Sequence, residues 1–224
     1  MNLNKHLEVF DPSTIDAPIH IIGCGAIGST IAELLTRLGV QSLHLYDFDT
    51  VTDHNITNQM YRFKDIGEHK VIALTDILKE INPDIKIVQH LKGYNSLLPI
   101  TGYVFLAVDS IELRKQFITQ HRMNKLIKYV ADFRMEVKSA QTYAAVWDDD
   151  TAVESLWKSM QFTEEEAKAA TPVSACGTTL SITSAPRAIV AFGVSNFIEW
   201  LLTGTYKTMI MVNPFTGNVI AFPE

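Results

Sequence analysis

The chain has 224 residues, 47% hydrophobic and 20% charged; this is the make-up of a globular protein with one core burying about 70% of its unfolded surface, not of a disordered chain, a collagen or a coiled coil. Nineteen basic against 25 acidic residues leave a net charge of −6, the wrong sign for gripping nucleic acid non-specifically, and no apolar run approaches the roughly eighteen residues of a membrane span. Two cysteines, Cys24 and Cys176, are too few for a disulfide framework or a four-cysteine zinc site; with a start (MNLNKHLEVFDPSTID) that lacks an apolar signal core, they point to a reducing cytoplasm and no structural zinc.

In chain order, residues 17–22 (APIHII) form an apolar run stopped by Gly23, and 26–38 carry apolar residues at helical spacing up to Gly39. This reads as strand, tight turn, helix. Residues 42–46 alternate as a strand that ends at Asp47. The polar, poorly periodic stretch DFDTVTDHNITNQMYRFKDIG that follows is long for a compact domain, which marks it as functional. Residues 68–81 read as a helix stopped by Asn82-Pro83, 85–89 as a short strand, and 103–108 as a buried strand ending at Asp109. A helix over 111–126 and strands over 128–133 and 141–147 come next, then an acidic, exposed segment (148–170) and a loop (171–177). A long apolar helix near 185–202 and a hairpin, in which MIMV and VIAF flank NPFTGN, close the chain.

Strands alternating with helices at this spacing predict a single α/β domain over 1–224: a Rossmann-like, mostly parallel sheet flanked by helices, with a C-terminal antiparallel hairpin extension. Chemistry in such a sheet gathers beyond the carboxyl ends of its strands. Three exits qualify: Gly23 to Gly28, Asp47 with Asp49, and Asp109.

Gly23-Cys24-Gly25-Ala26-Ile27-Gly28 is a G-x-G-x-x-G turn set between a strand and a helix, where backbone N–H groups can approach phosphate oxygens. Asp47 follows Gly28 by nineteen residues, at the end of the next strand, where a carboxylate can accept hydrogen bonds from a ribose. Nucleotide binding follows. The same turn serves dehydrogenases and ATP-using enzymes alike, so the segment after the second strand must discriminate. It holds Asp47, Asp49, Asn55, Gln59, Arg62, Asp65 and Lys70.

With D-F-D-T-V at Asp47 to Val51, then Asn55, Gln59, D-I-G at Asp65 to Gly67, Lys70, Asn82-Pro83, and Asp109 followed by Arg114, the sequence resembles the ThiF family, the adenylating enzymes that include sulfur-carrier activators and the adenylation domains of ubiquitin-activating enzymes. The resemblance implies an ATP-dependent adenylyltransferase that activates the C-terminal carboxylate of a small ubiquitin-like or sulfur-carrier protein, or of a peptide. It implies that the glycine turn (Gly23, Gly25, Ala26, Ile27, Gly28) cradles the nucleotide, that Asp47 takes the ribose hydroxyls, and that Asp49 organises the loop or the nucleotide edge. Lys70 would contact the phosphates, Asn55 and Gln59 would donate to them or to the adenylate, and Asp109 would hold Mg²⁺. Homodimers, and a crossover loop within 148–178, are further implications.

The sequence departs from the family at Asn58, which stands where N-x-x-R-Q carries an arginine; Arg62, four residues on, is the candidate for the missing charge. Paired C-x-x-C zinc ligands are also absent. Cys176 lies where some relatives carry an acyl-accepting cysteine, and is either a nucleophile or a structural thiol. Two alternatives stay open: a nucleotide-binding, catalytically weakened relative that serves as an interaction protein, and an NAD-linked oxidoreductase.

Overall fold

Ile19–Ile22 (β1) is apolar but for His20 and buried at every residue, the pattern of a strand covered on both faces. The computed structural model describes residues 1–170, 173 and 180–223. In it Ser42–Tyr46 (β2) and Lys86–His90 (β3) extend a parallel sheet on one side of β1, while Gly102–Leu106 (β4) and Ile127–Met135 (β5) extend it on the other. Ala140–Val146 (β6), Lys207–Asn213 (β7) and Asn218–Pro223 (β8) complete it antiparallel, giving the order β3-β2-β1-β4-β5-β6-β7-β8. The Rossmann-like expectation and the terminal hairpin hold.

The helices are Ala26–Arg37 (α1), Lys70–Ile81 (α2), Ile111–His121 (α3), Asp150–Lys158 (α4), Glu164–Ala170 (α5) and Ser184–Thr203 (α6). On one face α1, α2 and α6 bury Ile31, Leu35, Leu74, Leu78, Val190 and Phe197 against the sheet. On the other, α3 and α4 bury Phe117, Ile118, Val153 and Leu156. Each such side chain contributes about 1.5–3 kcal/mol through removal from water.

From β1 the chain winds outward through β2 to β3 and then returns to β4 on the opposite side of β1. That reversal opens a crevice at the carboxyl ends of β1 and β4, the place where open α/β sheets bind ligands. Gly23 N–H donates to Tyr46 O at 2.9 Å and Ala107 N–H to Ile22 O at 2.8 Å, so the exits of β1, β2 and β4 lie side by side.

Three elements differ from the sequence expectation. The acidic segment is two helices and not simply a solvated surface. Asp149 caps α4 by accepting from Thr151 N–H and Ala152 N–H, and Ala152, Val153, Leu156 and Met160 are buried beneath the charged face. The helix expected over 111–126 ends at His121, because Asn124 turns the chain by donating its amide to Ile100 O at 2.9 Å. The helix expected from residue 68 starts at Lys70, with His69 as its cap.

Candidate nucleotide-binding site

The glycine turn is built for close approach. Gly23 has φ +95°, and a Cβ there would lie 2.6 Å from Ala107 O; a Cβ on Gly28 would lie 1.8 Å from Gly23 O. A Cβ on Gly25 would meet nothing within 4 Å, so the turn is open on that side. Gly25 is also the N-cap of α1 and makes no side-chain cap, which leaves the first-turn N–H groups of Ala26, Ile27 and Gly28 for a ligand.

Asp47 is buried and ties two strand exits together. Its Oδ2 accepts from Cys24 N–H at 2.7 Å and its Oδ1 from Asp49 N–H at 2.9 Å. Each oxygen keeps a second lone pair for a hydroxyl. Beneath the turn, Tyr61 donates its hydroxyl to Cys24 O at 2.7 Å, and Met60 N–H donates to Ser29 Oγ at 3.2 Å. Sequence reasoning passed over Tyr61 and Ser29; the available signal was a lone tyrosine inside a polar loop. Cys24 is fully buried, and burial followed by the charge of Asp47 raises its thiol pKa, the state of an unreactive structural thiol.

Lys70 opens α2, is buried, and donates to Asp49 Oδ2 at 2.7 Å, while its N–H donates to Asp49 O at 2.9 Å. Asp49 is half exposed, so the pair stands at the surface of the crevice. Asn55 Oδ1 accepts from both Thr52 N–H and Thr52 Oγ–H at 3.0 Å, leaving the amide NH₂ as the part of this side chain not committed to its own turn. Gln59 Oε1 is buried with no hydrogen-bond partner among the described residues. Such an acceptor calls for a donor that a ligand or water can bring. Asn58 ends the same short helical turn, its N–H directed to Asn55 O.

Arg62 is committed to two carboxylates. It donates to Asp65 through Nε at 3.0 Å and Nη2 at 3.1 Å, and to Glu80 on α2 through Nη1 at 2.6 Å, the Asp65 bonds raising its pKa. His69 is also committed. Its Nδ1 accepts from Val71 N–H, so Nε2 carries the proton and donates to Leu91 O at 2.9 Å.

Asp109 leaves β4 exposed, its carboxylate without a hydrogen bond or ion pair among the described residues, and Ser110 caps α3 behind it by accepting from Leu113 N–H. Below Asp109 lies a buried group in which Arg114, named in the sequence, is joined by Asp132 and Arg134, which sequence reasoning passed over. Among the described residues no cluster of three or more His, Cys, Asp or Glu side chains could hold a metal by itself. A lone carboxylate at a strand exit beside a glycine turn suits Mg²⁺, which takes one or two protein carboxylates and completes its shell with substrate phosphates and water. Cys176 lies outside the described residues.

Three groups of known proteins are similar to the chain. The family model described as ThiF family matches residues 15–210. Ubiquitin-like modifier-activating enzyme 5 of Dictyostelium discoideum is 41% identical over 75 residues, 34% of this chain and 19% of that protein. The tRNA threonylcarbamoyladenosine dehydratase of Escherichia coli (strain K12) is 29% identical over 131 residues, 54% of this chain and 47% of that protein. The chain thus matches less than half of the length of either. E. coli MccB solved with ATP superposes with a TM-score of 0.71 at 13% identity, covering 95% of this chain and 64% of that one. MccB in complex with N-formylated MccA gives 0.69 at 13% identity, covering 95% and 66%. At that identity the likeness shows the fold. No described helix is long and apolar enough to cross a membrane.

Proposed function

The chain belongs to the ThiF family, and on that premise we propose that it is an ATP-dependent adenylyltransferase whose single domain activates the C-terminal carboxylate of a small ubiquitin-like or sulfur-carrier protein, or of a peptide. The observation that carries this reading is that the adjoining exits of β1, β2 and β4 bear an uncapped helix start at Gly25, the Lys70–Asp49 pair and the exposed carboxylate of Asp109. A dinucleotide oxidoreductase has use for the first of these, whereas a cation paired at the crevice and an exposed carboxylate at the β4 exit suit a metal-bound triphosphate better.

A carboxylate oxygen of the substrate attacks the α-phosphorus of ATP, the bond from that phosphorus to the β-bridging oxygen breaks, and acyl-adenylate and pyrophosphate leave with no net proton transfer. Both reactants are anions, so the protein must neutralise charge and align them. The first-turn amides of α1 bind phosphate oxygens, Lys70 adds a full positive charge, and Asn55 supplies amide hydrogens. Asp47 receives the ribose hydroxyls while fixing the turn, and Asp49 keeps Lys70 in place. Mg²⁺ held by Asp109 would supply further charge neutralisation.

The proposed assembly is a homodimer, supported by exposed apolar side chains on α6 (Phe192, Leu202) and β8 (Val219, Ile220, Phe222). The deciding experiment is carboxylate-dependent exchange of labelled pyrophosphate into ATP, with a panel of carrier proteins ending in Gly-Gly and peptides with free C-termini. Exchange that is lost in Asp109→Ala supports the reading; no exchange with any carboxylate, by a protein that binds ATP, favours the second reading. That reading, a nucleotide-binding relative without turnover, is supported by the engagement of Arg62 with Asp65 and Glu80 and by the amide at Asn58.

A further inference from the structure

Asp109 is exposed, yet the backbone on both sides of it is held from the interior. Arg114, one turn into α3 and 6% exposed, donates through Nη2 to Val108 O and, at 2.8 Å, to Phe133 O, bridging the exit of β4 to the neighbouring strand β5. Its Nε lies 3.2 Å from Asp132 Oδ1, a pairing of charges without hydrogen-bond alignment, since neither atom has a hydrogen-bond partner among the described residues. Asp132 is 0% exposed and binds Arg134 Nε at 2.7 Å through its other oxygen.

Arg134 carries the chain of contacts outward. Its Nη1 donates to Ser159 O and its Nη2 to Ser159 Oγ, each at 2.8 Å, and its guanidinium stacks on Tyr143 with 4.4 Å to the ring centroid. The connection between α4 and α5 is fastened to the same place: Lys115 Nζ donates to Phe162 O at 2.6 Å, and Glu164 Oε2 accepts from Ile111 N–H at 3.0 Å, two residues beyond Asp109.

We infer that Arg114, supported by Asp132 and Arg134, is a positioning residue for Asp109, fixing the strand exit that presents its carboxylate to nucleotide-bound metal and tying it to the α4–α5 connection. This rests on the adenylation reading, in which Asp109 is the metal-binding group. Geometry gives the reason. A guanidinium bridges two carbonyls and still faces a carboxylate, whereas a lysine ammonium presents one charge and cannot span those three positions. A buried Asp132 between two arginines leaves one positive charge in excess, and Asp109 is the next carboxylate: its field favours the charged form of Arg114 against burial, the largest influence, which disfavours it. Removing the fork frees Val108 O and lets Asp109 drift, while the hydrogen bonds that hold the glycine turn, Gly23 N–H to Tyr46 O and Cys24 N–H to Asp47 Oδ2, stay in place.

The test is isothermal titration with ATP, in EDTA and in MgCl₂, of the full chain and of Arg114→Lys, Asp109→Asn and the double variant. The expected result is that Arg114→Lys cuts the Mg²⁺-dependent gain in ATP affinity by about tenfold and leaves affinity in EDTA within about twofold. In the Asp109→Asn background it changes neither, because its effect passes through that carboxylate. An undiminished Mg²⁺ gain in Arg114→Lys, or an equal loss in both backgrounds, overturns the inference. If Arg114→Lys does not fold, Ser159→Ala, which removes one anchor of Arg134, should show the same pattern at about threefold, and no change overturns it. A parent chain that binds no ATP, or whose Mg²⁺ gain survives Asp109→Asn, sinks the adenylation reading as well; a gain that needs Asp109 but not Arg114 sinks only this inference.

Discussion

The hydroxyl of Tyr61 is bonded at 2.7 Å to the main-chain carbonyl of Cys24, in the middle of the glycine turn. Tyr61 is 4% exposed, and burial raises its phenol pKa far out of the physiological range, so it is a permanent donor. Through it the long polar loop after β2 is bolted to the turn that opens α1. Tyr61→Phe keeps the packing and strands a buried carbonyl, which costs about 1–3 kcal/mol. Urea titration should show that loss, together with weaker ATP binding in EDTA.

Lys70 should divide charge from structure. It is buried while its partner Asp49 is half exposed, and the two meet at 2.7 Å. Lys70→Met retains most of the buried stem and the α2 start, and removes the positive charge at the crevice. Pyrophosphate exchange is expected to fall by about 10² or more, the scale of a missing phosphate clamp, with the thermal midpoint within about 4 °C. A variant as active as the parent would remove Lys70 from the phosphates.

Asn58 offers the opposite kind of test. The family position holds an arginine, and Arg62 is engaged by Asp65 and Glu80 rather than by the glycine turn. Asn58→Arg places a cation at the end of the turn headed by Asn55, and exchange should rise by about tenfold or more if phosphate charge limits the rate, as with other arginine clamps. Arg62→Gln should leave the rate unchanged and lower stability by about 1 kcal/mol through loss of a partly exposed pair.

The parts of the site that are legible in the sequence are those encoded locally. Gly23 and Gly28 announce a turn because only glycine tolerates the close approach to Ala107 O and Gly23 O, and Asp47 and Asp109 follow the short runs that read as strands. The rest depends on partners far along the chain. Arg114, Asp132 and Arg134 meet only when α3 packs over β5, and Ser159 joins them from the C-cap of α4. In the acidic segment, Asp148 to Asp150 dominate the composition while Ala152, Val153 and Leu156, the residues that decide its burial, are too few to set a clear helical period. Tyr61 shows in the sequence only as a lone tyrosine in a polar loop; its significance lies in a bond across 37 residues.

Acid should destabilise the fold through the histidines on the β1–β3 face. His20 is 2% exposed, its Nδ1 lies 2.8 Å from Tyr46 Oη, and its ring is 4.5 Å from that of His44. Burial, and then the neighbouring His44 and His90, push its pKa down to about 3, and burial lowers His44, His90 and His121 as well. A histidine with a depressed native pKa stays neutral in the fold but takes up a proton in the unfolded chain below about pH 6.5, so its contribution is fully present above that pH and is lost as pH falls toward the native value. For His20 the window runs from about 6.5 down to about 3. His20 alone then removes about 1.4 kcal/mol between pH 7.5 and 5.5, and His44, His90 and His121 add to it in the same direction. Urea titrations of the parent chain and of His20→Gln at those two pH values check this: the variant should lose about 1.4 kcal/mol less than the parent, and equal losses would mean that His20 is protonated in the folded protein.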